Sequence, residues 1–386
     1  MAGTKREHSL GIWSLALGYF LFYIPYSGLS KAVTAGLLTG GTPISGFELL
    51  PSTVVSTAIA IPLFITIMRW WKHARTRNVL GFNIPFPRLQ TFISGVAFAT
   101  IIATTTLAYS FKGVSIVFAL MLMRGGVLIL SPLIDRMFHR RVRWFSWLGL
   151  VFSLMALLIA FSDVHGYQLS IVAALNLAAY LTGYALRLPC MTQIAKTGEK
   201  TVAFGYFVEE QLVAMPCLVL VPAIFALIGR GAIMSQLRFG FTHIFSSSFA
   251  LFGWTIGILY AGLGIFCTFI YLDRRENTFC IPMYSCSSLL SGIIASWILT
   301  WSLGAANPSS MQFSSALLII AALLVISPLH HLPLYIKQLK NAIAEKRLVL
   351  VGFANNTAVK EQSVSRPMAM NFITINFEAV RNILRK

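Results

Sequence analysis

Arg124 interrupts an otherwise apolar run, FALMLMRGGVLIL, in which no neighbour in sequence neutralises it. If that run lies in lipid, a charged side chain near its middle costs about 3 kcal/mol even on the mildest insertion scale, so something must compensate it. A guanidinium presents forked donors that match phosphate or carboxylate. One reading is therefore an anionic group held at this point. The other is a structural arginine paired with Glu209, Glu210 or helix carbonyls. Gly125 and Gly126 follow directly and leave room for a neighbouring helix or a ligand to come close.

Two stripes of polar residues are spaced to share a face with such a group. Asn176, Tyr180 and Tyr184 recur every four residues, and Tyr19, Tyr23 and Tyr26 form a second stripe in an earlier apolar segment. Polar side chains inside a bilayer turn toward protein or cavity water, so both stripes should face inward. They read as substrate-binding walls or as ordinary interhelical hydrogen bonding. Glu209 and Glu210 open a later segment and are candidates for gating or proton coupling. Adjacent residues point about 100° apart on a helix, so only one should face a cavity. Their alternative is a pair of solvated residues matched with Arg187 or Lys200. Glu48 echoes them at the start of the second segment and is also read as a carboxylate at headgroup level. The five cysteines (Cys190, Cys217, Cys267, Cys280 and Cys286) lack a metal-ligand spacing, and we expect no disulfide, metal site or cofactor.

The elements that must position these residues follow from composition. At 386 residues, 57% hydrophobic and 11% charged, the chain has more apolar surface than a soluble core of its size can hide. Apolar segments run over 9–30, 47–68, 89–110, 113–133, 144–162, 169–188, 203–229, 248–271, 279–300 and 313–336. Most reach the roughly 20 residues that a hydrocarbon core of about 30 Å demands, and none alternates as a barrel strand would. The expectation is an all-α integral membrane protein of ten transmembrane helices.

The segments recur at an offset of about 160 residues, which sets Pro62 against Pro222, Tyr109 against Tyr271, Lys112 against Arg274, and Arg124 against Cys286. An odd number of spans per copy makes the second copy run through the bilayer upside down. The halves are therefore two inverted five-helix repeats, 1–165 and 166–336, followed by a basic tail, 337–386. Helix-interior prolines, among them Pro25, Pro51, Pro216 and Pro222, read as kinks without an assigned mechanism.

The net charge of +18 sets orientation rather than pointing to nucleic acid. With the N-terminus inside, only Lys31, Lys112, Arg230 and Arg238 fall outside, and Arg124 lies within the membrane. The positive-inside rule then places both termini in the cytoplasm. The first apolar run lacks a cleavage pattern and reads as an uncleaved span. In the tail, Phe377, Val380, Ile383 and Leu384 recur at helical spacing among Arg381, Arg385 and Lys386. This fits a helix lying on anionic lipid, with a poorly ordered tail as the alternative.

The stretch Phe118 to Phe161 resembles the closing part of a repeat in the drug/metabolite transporter superfamily, in its EamA-like and nucleotide-sugar-transporter-like branches. Pro132, the charged turn from Asp135 to Arg143, and Trp147-Leu148-Gly149 follow that family's order. The glutamate usual in the turn is absent, with Asp135-Arg136 nearest to it, and the second half's turn, Gly304 to Pro308, carries neither acid nor base. The resemblance implies ten helices in two inverted repeats, a basic residue on the helix that carries Arg124, and movement of small metabolites without an ATP-binding domain. The chain has no Walker motif.

The expectation is a secondary transporter, not an enzyme, that moves a small organic metabolite with an anionic group by alternating access. Its setting would be the bilayer of a plasma membrane of bacterial inner-membrane type. Arg124, Asn176, Tyr180, Tyr184, Tyr19 and Tyr23 would bind the substrate, and Glu209 and Glu210 would gate or carry protons. The alternatives are a proton-coupled exporter of amphipathic or cationic compounds, a membrane-embedded enzyme, and an accessory protein.

Overall fold

Helices overlie the apolar segments because a backbone in lipid must satisfy its hydrogen bonds within its own segment. A computed structural model of the chain describes residues 4–79, 82–108, 116–162, 171–197, 199–245, 247, 249–304 and 310–326, all within one unit spanning residues 1–327. In chain order the helices are α1 (Thr4–Thr34), α2 (Gly46–Ile67), α3 (Leu89–Ala108), α4 (Ile116–Met137), α5 (Trp144–Ser162) and α6 (Ile171–Ile194). They continue with α7 (Lys200–Ile228), α8 (Gly231–Phe239), α9 (Ala250–Tyr271), α10 (Asn277–Leu303) and α11 (Ser310–Ile326). Among the described residues, seven helices are long and apolar enough to cross a membrane. The chain is thus an all-α, multi-pass membrane protein. Tyr109, Lys112, His330, His331 and the tail lie outside the described residues.

Two short elements break the helical pattern. After a single 3₁₀ turn at Trp70–His73, strands β1 (Thr76–Val79) and β2 (Phe82–Pro85) pair antiparallel, with Arg77 opposite Ile84. An all-helical reading of the sequence misses this hairpin, because four-residue strands inside a basic connection show too little alternation to register. The connection between α7 and α9 folds into α8 and a π-helical turn at Gly240–Ile244 that packs on the start of α2.

The connections sort to two ends. At one end Ser45 donates its hydroxyl to the Gln236 Oε1 (2.9 Å) while accepting the Phe47 N–H. Glu48 returns to the Ser45 N–H (3.2 Å), completing a capping box that starts α2. Glu48 therefore has a local structural task. At the other end lie the basic connections. The Arg140 guanidinium donates to the Arg274 carbonyl (2.6 Å), Lys196 Nζ donates to the Arg275 carbonyl (2.7 Å), and Trp70 stacks on Phe204 with ring centroids 4.4 Å apart.

Candidate functional site

Three helices converge on Arg124, two of them through an i, i+4 pair. Its guanidinium donates to Tyr19 Oη (3.2 Å) and Tyr23 Oη (3.1 Å) on α1, to Tyr180 Oη on α6, and to Tyr284 Oη on α10. Its Nε donates to Ser288 Oγ (3.0 Å), one turn beyond Tyr284. The fork also lies over the Tyr284 ring, 4.3 Å from its centroid. Tyr184, one turn after Tyr180, shares a hydrogen bond with Tyr284 (3.0 Å) and so belongs to the cage at one remove. Arg124 is 1% exposed. Its cage is made of neutral hydroxyls, and no carboxylate lies within 4.0 Å of it among the described residues. The pairing of Arg124 with Glu209 or Glu210 that the sequence leaves open does not occur.

The glycines beside it serve packing. A Cβ at Gly126 would strike the Leu181 side chain of α6, and at Gly125 it would sit 3.6 Å from Leu157 on α5. Close approach of α6 is what brings Tyr180 within reach. Tyr19, Tyr23, Tyr180 and Tyr184 thus converge as a group. Asn176 does not join them, because its amide donates to the Thr104 carbonyl (3.0 Å) and ties α6 to α3. Tyr26 lies behind Tyr23, edge-on with centroids 5.6 Å apart.

The cage closes one side of a narrow cavity whose other walls include Phe98, Ile101, Thr105, Tyr260, Gly264 and Cys267. Its volume is about 10 Å³, room for roughly one water molecule, so the structure is occluded around Arg124. Beside the cage, the Tyr271 hydroxyl is fully buried without a hydrogen-bond partner among the described residues.

A second buried arginine sits beside this cavity and is paired with a carboxylate, although its Nη1 is buried without a hydrogen-bond partner among the described residues. Arg187 on α6 meets Glu210 on α7 through two parallel bonds of 2.8 Å, donates a third to Thr268 Oγ1 (2.8 Å), and stacks 3.9 Å over the Phe98 ring. Ser94 donates to Glu210 Oε1 (2.5 Å) and Tyr206 donates to Ser94 (2.5 Å). Both acids are buried, Glu209 at 4% exposure and Glu210 at 0%, which corrects the reading of them as solvated. They diverge as neighbours on a helix must. Glu209 accepts the Arg75 and Arg88 N–H groups (3.3 Å each) and the Thr91 hydroxyl (2.9 Å).

The basic end is fastened by two acids, Asp135, which the sequence offers only as the residue nearest the turn's missing glutamate, and Glu276, which it does not single out. Asp135, at the end of α4, accepts the Asn277 N–H (2.9 Å), the Thr278 N–H (2.7 Å) and both side chains, and so caps α10 from another helix. Glu276 accepts from Arg143 Nε and Ser146 Oγ, 2.7 Å each. Burial pushes the Glu276 carboxyl up, but the bonds from Arg143, Ser146 and its own backbone outweigh that and hold it below the usual carboxylate value. Tyr284 and Ser288 were also missed. Their spacing of four is the available signal, the same one that marks the stripes on α1 and α6.

No family model and no curated protein matches the chain. A solved structure described only as "Crystal structure of protein" is similar over 84% of this chain and 97% of that one, with a TM-score of 0.51 at 10% identity. At that identity the likeness concerns the fold alone. Fold and site together define a multi-pass helical membrane protein with an uncompensated cation buried at a closed cavity.

Proposed function

We propose that the chain is a secondary transporter that holds the anionic group of a small organic metabolite at Arg124 and moves it by alternating access. The observation that carries this reading is the buried guanidinium whose neighbours are all neutral. A cation in such a place is costly unless it is paired, and here the protein supplies hydroxyls rather than a counter-charge. Phenols suit that task. They accept from the guanidinium while the site is empty, and each can turn its own O–H toward an anion when one arrives. Arg124, Tyr19, Tyr23, Tyr180 and Tyr284 would bind directly, and Tyr184 would orient Tyr284.

The architecture we propose is ten spans in two inverted five-helix repeats, as in the drug/metabolite transporter superfamily that Phe118 to Phe161 resembles, with the basic end in the cytoplasm. In support, the repeat offset that sets the halves against each other also sets Tyr19 and Tyr23 against Tyr180 and Tyr184, of which Tyr19, Tyr23 and Tyr180 meet at Arg124 and Tyr184 joins through Tyr284. The halves would rock about this point. Opening toward the basic end would break the ties of Asp135 and Arg143, on the first half, to the start of α10 on the second. In the alternative of proton-coupled export, Glu210 would have to leave Arg187 in order to carry a proton, so the caged cation favours the anion reading.

Counterflow in liposomes loaded with candidate organic anions tests the proposal. Wild-type protein should exchange an anion without altering it chemically, and Arg124→Ala should not. A chemically modified product, or exchange untouched by Arg124→Ala, would overturn it.

A further inference from the structure

The hairpin that the sequence hides stands above a groove on the lipid-facing side, and the two are built for one ligand. Glu209 fixes the hairpin's roots by accepting the Arg75 and Arg88 N–H groups, and the Phe86 N–H closes on the Arg75 carbonyl (2.8 Å). What the roots hold outward is basic and aromatic. Arg75, Arg77 and Arg88 are exposed, Phe86 is 47% exposed, and the Arg77 guanidinium lies 5.5 Å from the Phe86 ring centroid. Among the described residues no carboxylate lies within 4.0 Å of the Arg75 or Arg77 guanidinium, and the Arg88 guanidinium reaches Glu209 only at 4.0 Å.

Below the hairpin, α3 starts at Leu89 and presents Phe92, Ile93 and Val96 outward. Between this face and α6 runs a groove of about 420 Å³, with small residues such as Ala97, Ala179 and Gly183 along it and Leu186 at its edge. From Phe92 to Thr100 it covers roughly 12 Å of depth at 1.5 Å per residue. Gly183 is required there, since a Cβ would come within 2.8 Å of Ile101 and 3.1 Å of the Ala97 carbonyl.

We propose that this is a site for a single anionic phospholipid, with its phosphate on the hairpin arginines and one acyl chain in the α3–α6 groove. Charge chooses the occupant. A second copy of the chain, inserted in the same direction, would bring its own Arg75, Arg77 and Arg88 against these three, and like charges facing each other oppose that contact. A zwitterionic lipid fills the groove but leaves the arginines without a net counter-charge. The site is separate from the Arg124 cage and stands or falls independently of transport.

The test is native mass spectrometry of the full chain in detergent, titrated with phosphatidylglycerol and phosphatidylcholine of identical chains. Wild type should bind one phosphatidylglycerol in clear preference. Each arginine near a membrane surface is worth about 1 kcal/mol toward anionic lipid, so Arg75→Gln with Arg77→Gln should weaken phosphatidylglycerol roughly thirtyfold and leave phosphatidylcholine unchanged. Thr182→Trp, which fills the groove from an exposed position, should weaken both lipids. Equal binding of the two lipids to wild type, or a preference that survives the double substitution, would overturn the proposal. So would a protein dimer that Thr182→Trp abolishes.

Discussion

Arg124 lines the cavity and Arg187 stacks on the Phe98 ring that forms part of its wall; both are fully buried, yet the protein treats their charges in opposite ways. Arg187 has a carboxylate matched to its Nε and Nη2, a threonine for a third bond and an aromatic face beneath it. Arg124 has four phenols and a serine. The first arrangement answers the charge without a ligand and joins α6 to α7. The second satisfies the geometry of the guanidinium while leaving its charge unanswered. That difference separates an arginine that holds the fold from one that is available to bind.

The comparison is broken most severely by removing the carboxylate. Glu210→Ala strands Arg187 as a lone buried cation and should cost about 3–5 kcal/mol. Arg124→Met removes a cation that has no counter-ion. Its cost is limited to hydroxyls that lose a donor, about 1–3 kcal/mol at most, and these can rebond with one another as Tyr184 and Tyr284 already do. In detergent, chemical or thermal unfolding without ligand should therefore rank Glu210→Ala well below Arg124→Met. The reverse order would mean that Arg124 is the structural member of the pair.

A smaller effect sharpens the contrast between the buried core and the basic end. The Glu276 carboxyl is held below its ordinary value in the folded chain, so its contribution is fully present above the unfolded pKa of about 4.3 and is lost as pH falls through the folded value. Arg143 is 43% exposed, which limits the gain to about 1 kcal/mol or less. Stability measured from pH 6 down to pH 3 should fall less steeply in Glu276→Gln than in wild type. Identical slopes would assign the acid sensitivity to other carboxylates.

Much of this arrangement is legible in the sequence wherever the signal is local. Apolar length marks the helices, a lone arginine in FALMLMRGGVLIL marks itself, and the period of four in Tyr19/Tyr23 and Tyr180/Tyr184 states which faces turn inward. The rest depends on contacts between distant segments. Glu210 lies 23 residues from Arg187 and 116 from Ser94, and nothing near any of the three announces the others. Asp135 reads as one more charge in a basic turn until α10 comes to rest on it. Asn176 keeps the stripe's spacing but sits on its edge, where the Thr104 carbonyl captures it.

The central claim, that Arg124 is the protein's unanswered charge, is tested most directly by thermal stabilisation of purified wild type and Arg124→Met against a panel of organic anions and cationic amphiphiles. The account predicts that at least one class of anion raises the melting temperature of wild type and leaves Arg124→Met unmoved. Equal anion stabilisation of both proteins, or stabilisation of wild type by cations alone, would contradict it and return attention to Glu209 and Glu210.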